Sequence, residues 1–389
     1  MSKFKIVHII TRFILGGADE NTLITCNIQA ENGHEVHLMV GREWSSEMRE
    51  RLHPEVKFVV IRNMKREITF FKDVKSYFFI LAYLRQVRPN IVHTHESKAG
   101  ILGRFTAPFL HAESKYVHGV HIIPFMNVSS RFQFQLYFWL EKAASYLTDS
   151  FISVSPALEK TMLDTKIATK KNSFVVFSGM PLKNFKDKST ISDAEISKFI
   201  QGNRKPSEVS NSFKMIMTGT LEKRKRVELG IKAVKELTER GVDVTLIVCG
   251  GGAEEKVLKR LASEVGVGDR ILFIGYTTKI SQFIQKSDLG LHCSNHEGLP
   301  RVIVQYIAAG KPVLSTELPG VDQIVKHNSN GFLLSSSDLV NEIADRVQEL
   351  QSDNKRYQCF CRASNRVDLT LWDEEIMVSS IEKIYRELN

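Results

Sequence analysis

Apolar residues fall in short blocks along this chain, and most blocks are followed by a longer stretch in which apolar positions recur every three to four residues. The blocks Lys5–Ile10, Glu35–Val40, Val56–Ile61 and Asn90–Thr94 read as strands. Helical patterning follows Leu15–Gly16–Gly17–Ala18 as far as Ala30, covers Phe71–Val87 up to Pro89, and resumes from Ala99. After a polar stretch near Lys183–Ser212, expected to be irregular, the alternation restarts. Strands are predicted over Lys214–Thr218, Val244–Cys249, Ile271–Ile274, Leu289–Cys293 and Pro312–Ser315. Helices are predicted over Val227–Glu239, Ala253–Val265, Ile280–Lys286 and Val302–Ala309. Strands alternating with helices predict an α/β chain with parallel sheets covered on both faces. Ligands of such sheets bind beyond the carboxyl ends of the strands, and two such edges can face each other across a cleft.

Two arrays suit the length, since 389 residues exceed one ordinary hydrophobic core. The expected boundaries are an N-terminal domain over 1–180, a C-terminal domain over 181–371, and a final helix over 372–389. That helix would carry Ile376, Ile381, Ile384 and Tyr385 on one face and return towards the N-terminal domain. The start Lys3–Phe4–Lys5–Ile6 is too interrupted for a signal peptide, and the longest apolar run, near Tyr77–Leu84, is far below the ~20 residues of a membrane span. Cys26, Cys249, Cys293, Cys359 and Cys361 include no C-x-x-C pair, which argues against a zinc or redox site and suits a reducing cytoplasm.

Charge changes the picture in one respect. The net charge is +9, and about 23 Lys/Arg against about 16 Asp/Glu fall in residues 1–180. A basic N-terminal half suits nucleic acid, anionic lipid or a phosphorylated substrate. Nucleic acid is disfavoured, because the charge is spread out and no zinc, RNA-recognition or helix-turn-helix signature occurs. Basic residues mixed with aromatics over Phe70–Phe79, and from Phe125–Met126 through Arg131–Phe134, suit an anionic membrane surface or simply a core.

The segment with most chemistry is Ser294–Asn295–His296–Glu297–Gly298–Leu299–Pro300–Arg301, leading on to Gln305. Pro300 suits the first turn of a helix, whose free N–H groups make an anion site. Glu297 would sit just outside that end, either as a cap or as a carboxylate free of cationic partners that accepts sugar hydroxyls. Gly298 would let a ligand approach the backbone. The run Lys223–Arg224–Lys225–Arg226 is either a phosphate clamp or a solvated basic turn. Gly16–Gly17 lacks the full G-x-G-x-x-G pattern, so it is a tight loop near a donor phosphate or acceptor, or a plain turn.

This segment resembles the E-x7-E signature of retaining glycosyltransferases of family 4, which share the two-domain GT-B fold. The likeness runs through Gly16–Gly17–Ala18, His93–Thr94–His95–Glu96–Ser97–Lys98, His118–Gly119–Val120–His121, Thr218–Gly219–Thr220 with Lys225, Cys249–Gly250–Gly251–Gly252 and Phe273–Ile274–Gly275–Tyr276. It implies two Rossmann-like domains facing each other across a cleft, with the nucleotide-sugar held mainly by the C-terminal one. Glu297 would contact donor-sugar hydroxyls, and Gln305, where the family has its second glutamate, the ribose. Lys225 would bind the diphosphate. Thr220 stands where the family has arginine, and Arg224 or Arg226 would replace that cation. Gly219, Gly250, Tyr276, Gly298, Leu299 and Pro300 complete the donor set, with His121, Glu297 and Lys225 as the catalytic group. His118 rivals His121 for the N-domain histidine and, with His93, His95 and Lys98, would line the acceptor side.

The chain has no D-x-D pair to hold a metal on the diphosphate, which fits a metal-independent transferase with no cofactor beyond its nucleotide-sugar, UDP-linked by family frequency. The expected reaction retains anomeric configuration and moves a sugar to a glycan or lipid-linked acceptor in cell-surface polysaccharide synthesis. The protein would be cytoplasmic, or peripheral on the inner face of the cytoplasmic membrane. A nucleotide-sugar epimerase of the same fold, or a non-catalytic binder of nucleotide-sugar or anionic polymer, is the alternative.

Overall fold

The structure, a computed structural model, describes residues 3–14, 16–123, 130–200, 202, 204–295, 297, 300–318 and 320–389. It divides into two compact units, Met1–Met180 with Thr370–Asn389, and Pro181–Leu369.

The first unit is built on strands β1 (Lys5–Phe13), β2 (Glu35–Trp44), β3 (Lys57–Ile61), β4 (Ile91–His95), β5 (Lys115–Val120), β6 (Ser150–Ser153) and β7 (Ser173–Val175). All pair in parallel in the order β3-β2-β1-β4-β5-β6-β7. The order reverses between β1 and β4, the switch point at which such sheets open a site. Successive side chains of a strand point to opposite faces. Accordingly Ile6 packs on Met377, Val378, Ile381, Ile384 and Tyr385 of the helix Glu374–Leu388. Its neighbour Val7, with Ile9, packs on Ile80 and Leu84 of the helix Phe70–Val87.

The second unit has β8 (Phe213–Thr218), β9 (Val244–Cys249), β10 (Ile271–Gly275), β11 (Leu289–His292), β12 (Val313–Thr316) and β13 (Gly331–Leu334) in the parallel order β10-β9-β8-β11-β12-β13. Here the switch point lies between β8 and β11. Met215, Leu246, Leu289 and Leu291 form its core with Ile231 and Val234 of the helix Val227–Glu239.

Three expectations change. The stretch expected to be irregular contains three short helices, Leu182–Lys186, Asp193–Ser197 and Pro206–Asn211, each too short to show a period. The last helix starts at Glu374, where the Asp373 carboxylate accepts from the Ile376 amide, so its buried face runs through Met377, Ile381, Ile384 and Tyr385. Ile376, expected on that face, is 40% exposed. The aromatics of the helices Phe70–Val87 and Arg131–Ser145 are largely not core: Phe70, Phe71, Phe78, Phe132 and Trp139 are all exposed. Phe125 and Met126 lie outside the described residues. Among the described residues no helix is long and apolar enough to cross a membrane.

Candidate functional site

At the carboxyl edge of the second sheet, β8 ends at Thr218 and β9 at Cys249, each followed by a glycine in the left-handed region, Gly219 at φ +130° and Gly250 at φ +138°. A Cβ on Gly250 would lie 1.9 Å from the Gly219 carbonyl oxygen, so only glycine lets these two turns meet. Tyr276 follows β10. Its ring covers Gly251, its hydroxyl donates to the Gly251 carbonyl at 3.0 Å, and it stays 60% exposed.

The cationic run forms a single 3-10 turn, Lys223–Lys225, leading into the helix Val227–Glu239 through Arg226 at φ +52°. Lys223 is exposed, but Lys225 and Arg224 turn towards Glu297. Lys225 Nζ lies 2.5 Å from Glu297 Oε1, and Arg224 Nη1 donates to the same oxygen at 2.7 Å. Ser294 Oγ adds a third donor at 3.1 Å, and the Asn295 amide donates to the Arg224 carbonyl at 3.0 Å. Burial pushes the Glu297 carboxyl up, but Lys225 and Arg224 outweigh it and hold it below the usual range. The expectation of a carboxylate free of cations is therefore corrected: Glu297 is held by both Lys225 and Arg224. The space lined by Thr218, Gly219, Thr220, Lys225, His292 and Ser294 is only ≈ 10 Å³, about one water.

His292 was missed by sequence reasoning because it ends a buried strand and looked like core. Its Nε2 is 4.0 Å from Glu297 Oε1. Burial, with Lys225 nearby, holds its ring down to about 3, so it is neutral. The helix Arg301–Ala308 begins one residue before the expected Val302, with Pro300 as its N-cap rather than inside its first turn. Gln305 Oε1 is buried with no hydrogen-bond partner among the described residues. The next residue, Tyr306, turns inward, where its hydroxyl accepts from the Thr218 amide at 3.0 Å. Gly298 and Leu299 lie outside the described residues.

In the first unit Gly16 caps the helix Gly17–Glu31 in extended backbone, and a Cβ there would lie 2.8 Å from Asp19 Oδ2. Burial and then Glu96 push the Asp19 carboxyl up to about 8, a group the sequence had not singled out. Lys98 is held by Asp73 at 2.8 Å and by the Glu67 carbonyl. His118 is 5% exposed and meets Thr94 Oγ1 at 2.9 Å, on the face where Gly100 passes over its ring. His93 and His95 are each 2% exposed, which corrects their expected place lining the acceptor side. His93 Nδ1 pairs with the Tyr385 hydroxyl at 2.5 Å and His95 Nδ1 with His121 Nε2 at 3.3 Å. Of the four, only His121 is partly exposed.

A pair of doubly wound units, one with cations and a carboxylate gathered at its switch-point edge, is the architecture of a GT-B glycosyltransferase. Residues 15–181 match the family model described as "Glycosyltransferase Family 4", and residues 200–366 that described as "Glycosyl transferases group 1". The chain belongs to glycosyltransferase family 4, and it is a glycosyltransferase. It is 26% identical over 365 residues, 91% of its length and 92% of the relative's, to the Escherichia coli UDP-Gal:alpha-D-GlcNAc-diphosphoundecaprenol alpha-1,3-galactosyltransferase. It is 22% identical to the Staphylococcus aureus capsular polysaccharide biosynthesis glycosyltransferase CapM over 83% of each chain. Among solved structures, Anabaena Alr3699/HepE in complex with UDP and glucose aligns over 98% of this chain and 99% of that one, with a TM-score of 0.79 and 19% identity. WaaG, a glycosyltransferase involved in lipopolysaccharide biosynthesis, aligns over 97% and 99%, with a TM-score of 0.74 and 15% identity.

Proposed function

We propose that the chain moves a sugar from a UDP-linked donor to a glycan or lipid-linked acceptor in cell-surface polysaccharide synthesis, with retention of configuration and without a metal. The observation that carries this is the Glu297 carboxylate bound between Lys225 and Arg224. A carboxylate there stands in for a phosphate. On donor binding the diphosphate takes the two cations, as charge-assisted bonds to phosphate favour, and Glu297 turns to the sugar hydroxyls.

The remaining roles follow from position. Gly219, Thr220 and Gly250 offer a side-chain-poor backbone edge, Tyr276 an exposed ring for the base, and Gln305 a buried amide oxygen for a ribose hydroxyl. Pro300 caps a helix N-terminus that favours negative charge, and Gly298 and Leu299, which precede it in the sequence, keep their proposed donor role. Gly16 and Gly17 form the phosphate- or acceptor-side loop of the first unit, and His121 is its histidine for substrate hydroxyls. In the reaction the bond from the anomeric carbon to UDP breaks as the acceptor oxygen bonds to the same face. The acceptor proton passes to the departing phosphate, and the cations hold the charge that develops on it. No metal is needed where two side-chain cations already face the leaving group.

A lipid-linked acceptor accords with the diphosphoundecaprenol in the Escherichia coli relative's name. It also accords with the exposed Phe70, Phe71 and Phe78 beside Lys72 and Lys75. We assign the protein to the cytoplasm, peripheral on the inner membrane face. Incubation with UDP-sugars and a polyprenyl-diphosphate-sugar acceptor in EDTA tests the reading. Transfer with retention is expected; hydrolysis alone, or transfer only with added metal, would reject it. Flotation with anionic and neutral liposomes tests the membrane part, and no binding to either would remove it.

A further inference from the structure

Three histidines of the first unit, His121, His95 and His8, form one hydrogen-bonded line that ends at Gln29 of the helix Gly17–Glu31, with His93 stacked beside it. His121 Nε2 meets His95 Nδ1 at 3.3 Å, His95 Nε2 meets His8 Nδ1 at 3.0 Å, and His8 Nε2 meets Gln29 Oε1 at 2.8 Å. His93 stacks on His95 with ring centroids 4.3 Å apart. The rings come from adjacent strands, since His8 of β1 is in register with His93 of β4, and His95 lies two residues on. His8 and His95 are 0% and 2% exposed.

A neutral imidazole carries one N–H and one lone pair. Each nitrogen–nitrogen contact in the line needs one proton, so the rings must all be protonated in the same sense. Gln29 turns its carbonyl oxygen, which only accepts, towards His8. His8 therefore carries its proton on Nε2 and accepts at Nδ1, His95 donates from Nε2 and accepts at Nδ1, and His121 donates from Nε2. We infer that His95 and His8, set by Gln29, are positioning residues that hold the His121 ring in one orientation with a proton on Nε2. The purpose is to fix the orientation in which that ring meets substrate, and this part rests on the role proposed for His121. Burial agrees, holding His8 down to about 4 and His95 well below its ordinary value, so neither relay ring carries a charge at neutral pH.

The nitrogens of His8, His93 and His95 also lie within 4.8 Å of one another, the spacing of a three-histidine metal set. Among the described residues, the charges that chiefly act on His93 and His95 are those of other histidines, which disfavour adding a buried divalent ion. A hydrogen-bonded line is thus favoured over a metal centre.

Long-range 1H–15N correlation on protein labelled in histidine nitrogen tests the inference, with His121→Asn to assign the ring. In the wild type the form protonated on Nε2 should exceed the other at least ten-fold. Gln29→Glu, which can still accept, should keep that ratio, whereas Gln29→Met, similar in shape without a polar end, should bring the two forms within a few-fold of each other. A proton on Nδ1 in the wild type, an unchanged ratio in a folded Gln29→Met, or one equivalent of zinc retained on these nitrogens would overturn it. Full turnover by His121→Asn alongside the expected spectra would remove the catalytic reading of His121 and leave the relay standing.

Discussion

Glu297 and Lys225 meet at 2.5 Å at the carboxyl edge of the second sheet, though their positions are 72 apart in the chain. Both side chains are mostly buried, 13% and 14% exposed, where a pair is screened far less than on the surface. The same oxygen of Glu297 also receives Arg224 and Ser294. This cluster is organised around one anion, the Glu297 carboxylate.

Lys225→Ala removes the shorter of the two cationic contacts. A charge-assisted bond contributes roughly 1.5–3 kcal/mol, so the Kd for UDP should rise about 10- to 100-fold. Lys225→Arg should recover part of this. Calorimetric titration of UDP into each variant reads the change, and an unaltered Kd in Lys225→Ala would mean the diphosphate binds elsewhere.

Gly250→Ala places a Cβ 1.9 Å from the Gly219 oxygen at φ +138°, where side chains are disfavoured. Backbone strain of this kind amounts to about 1–3 kcal/mol even before the clash. The melting temperature should fall by several degrees. Gly241→Ala, also at positive φ but in open space, serves as the control for strain alone and should fall less.

Tyr306→Phe keeps the ring and removes the hydroxyl that accepts from the Thr218 amide at 3.0 Å. The stranded buried amide should lower stability by about 1–3 kcal/mol. Denaturant unfolding measures this, and a loss near zero would show that another acceptor takes over.

The sequence made the two alternating arrays legible because buried parallel strands flanked by amphipathic helices leave a strong periodic trace. The helix Val227–Glu239 appears where its apolar spacing placed it. The three short helices between Leu182 and Asn211 were not legible, since five or six residues hold little more than one turn. At the site, the residue types near Glu297 and Lys225 could be read from the motif, but their mutual pairing could not, because it depends on where two loops of different strands fold. His292 gave no signal, as a histidine ending an apolar strand looks the same whether it is core or site. The burial of His93 and His95 was not legible for a related reason: alternation along β4 tells which face a ring takes, not that Tyr385 lies against His93 or that His8 and His121 enclose His95.

Acid should destabilise the first unit in particular. Burial holds His8 at about 4, and His93, His95 and His118 well below 6.5. Above pH 6.5 these rings are neutral folded or unfolded and contribute no pH dependence. Below it the unfolded chain takes up protons that the buried rings refuse, so stability falls as pH drops from 6.5 towards 4. His8 alone accounts for roughly 3 kcal/mol over that window. Asp19, pushed up to about 8, acts in the opposite sense over this range, so the histidine contribution is read as the difference in melting temperature between wild type and His8→Asn from pH 8 to 4.5. That difference should be flat down to about 6.5 and then shift steadily; a flat difference throughout would contradict neutral burial of His8.

The central claim is that Glu297 holds the donor's cations until the diphosphate replaces it. Calorimetric binding of UDP and UDP-sugars in EDTA, to wild type and to Glu297→Ala, tests it most directly. The account predicts that Glu297→Ala binds UDP at least as tightly as wild type, having no carboxylate to displace. It also predicts that the variant loses the added affinity the sugar gives. Weaker UDP binding in the variant, or no UDP binding by either protein without metal, would contradict it.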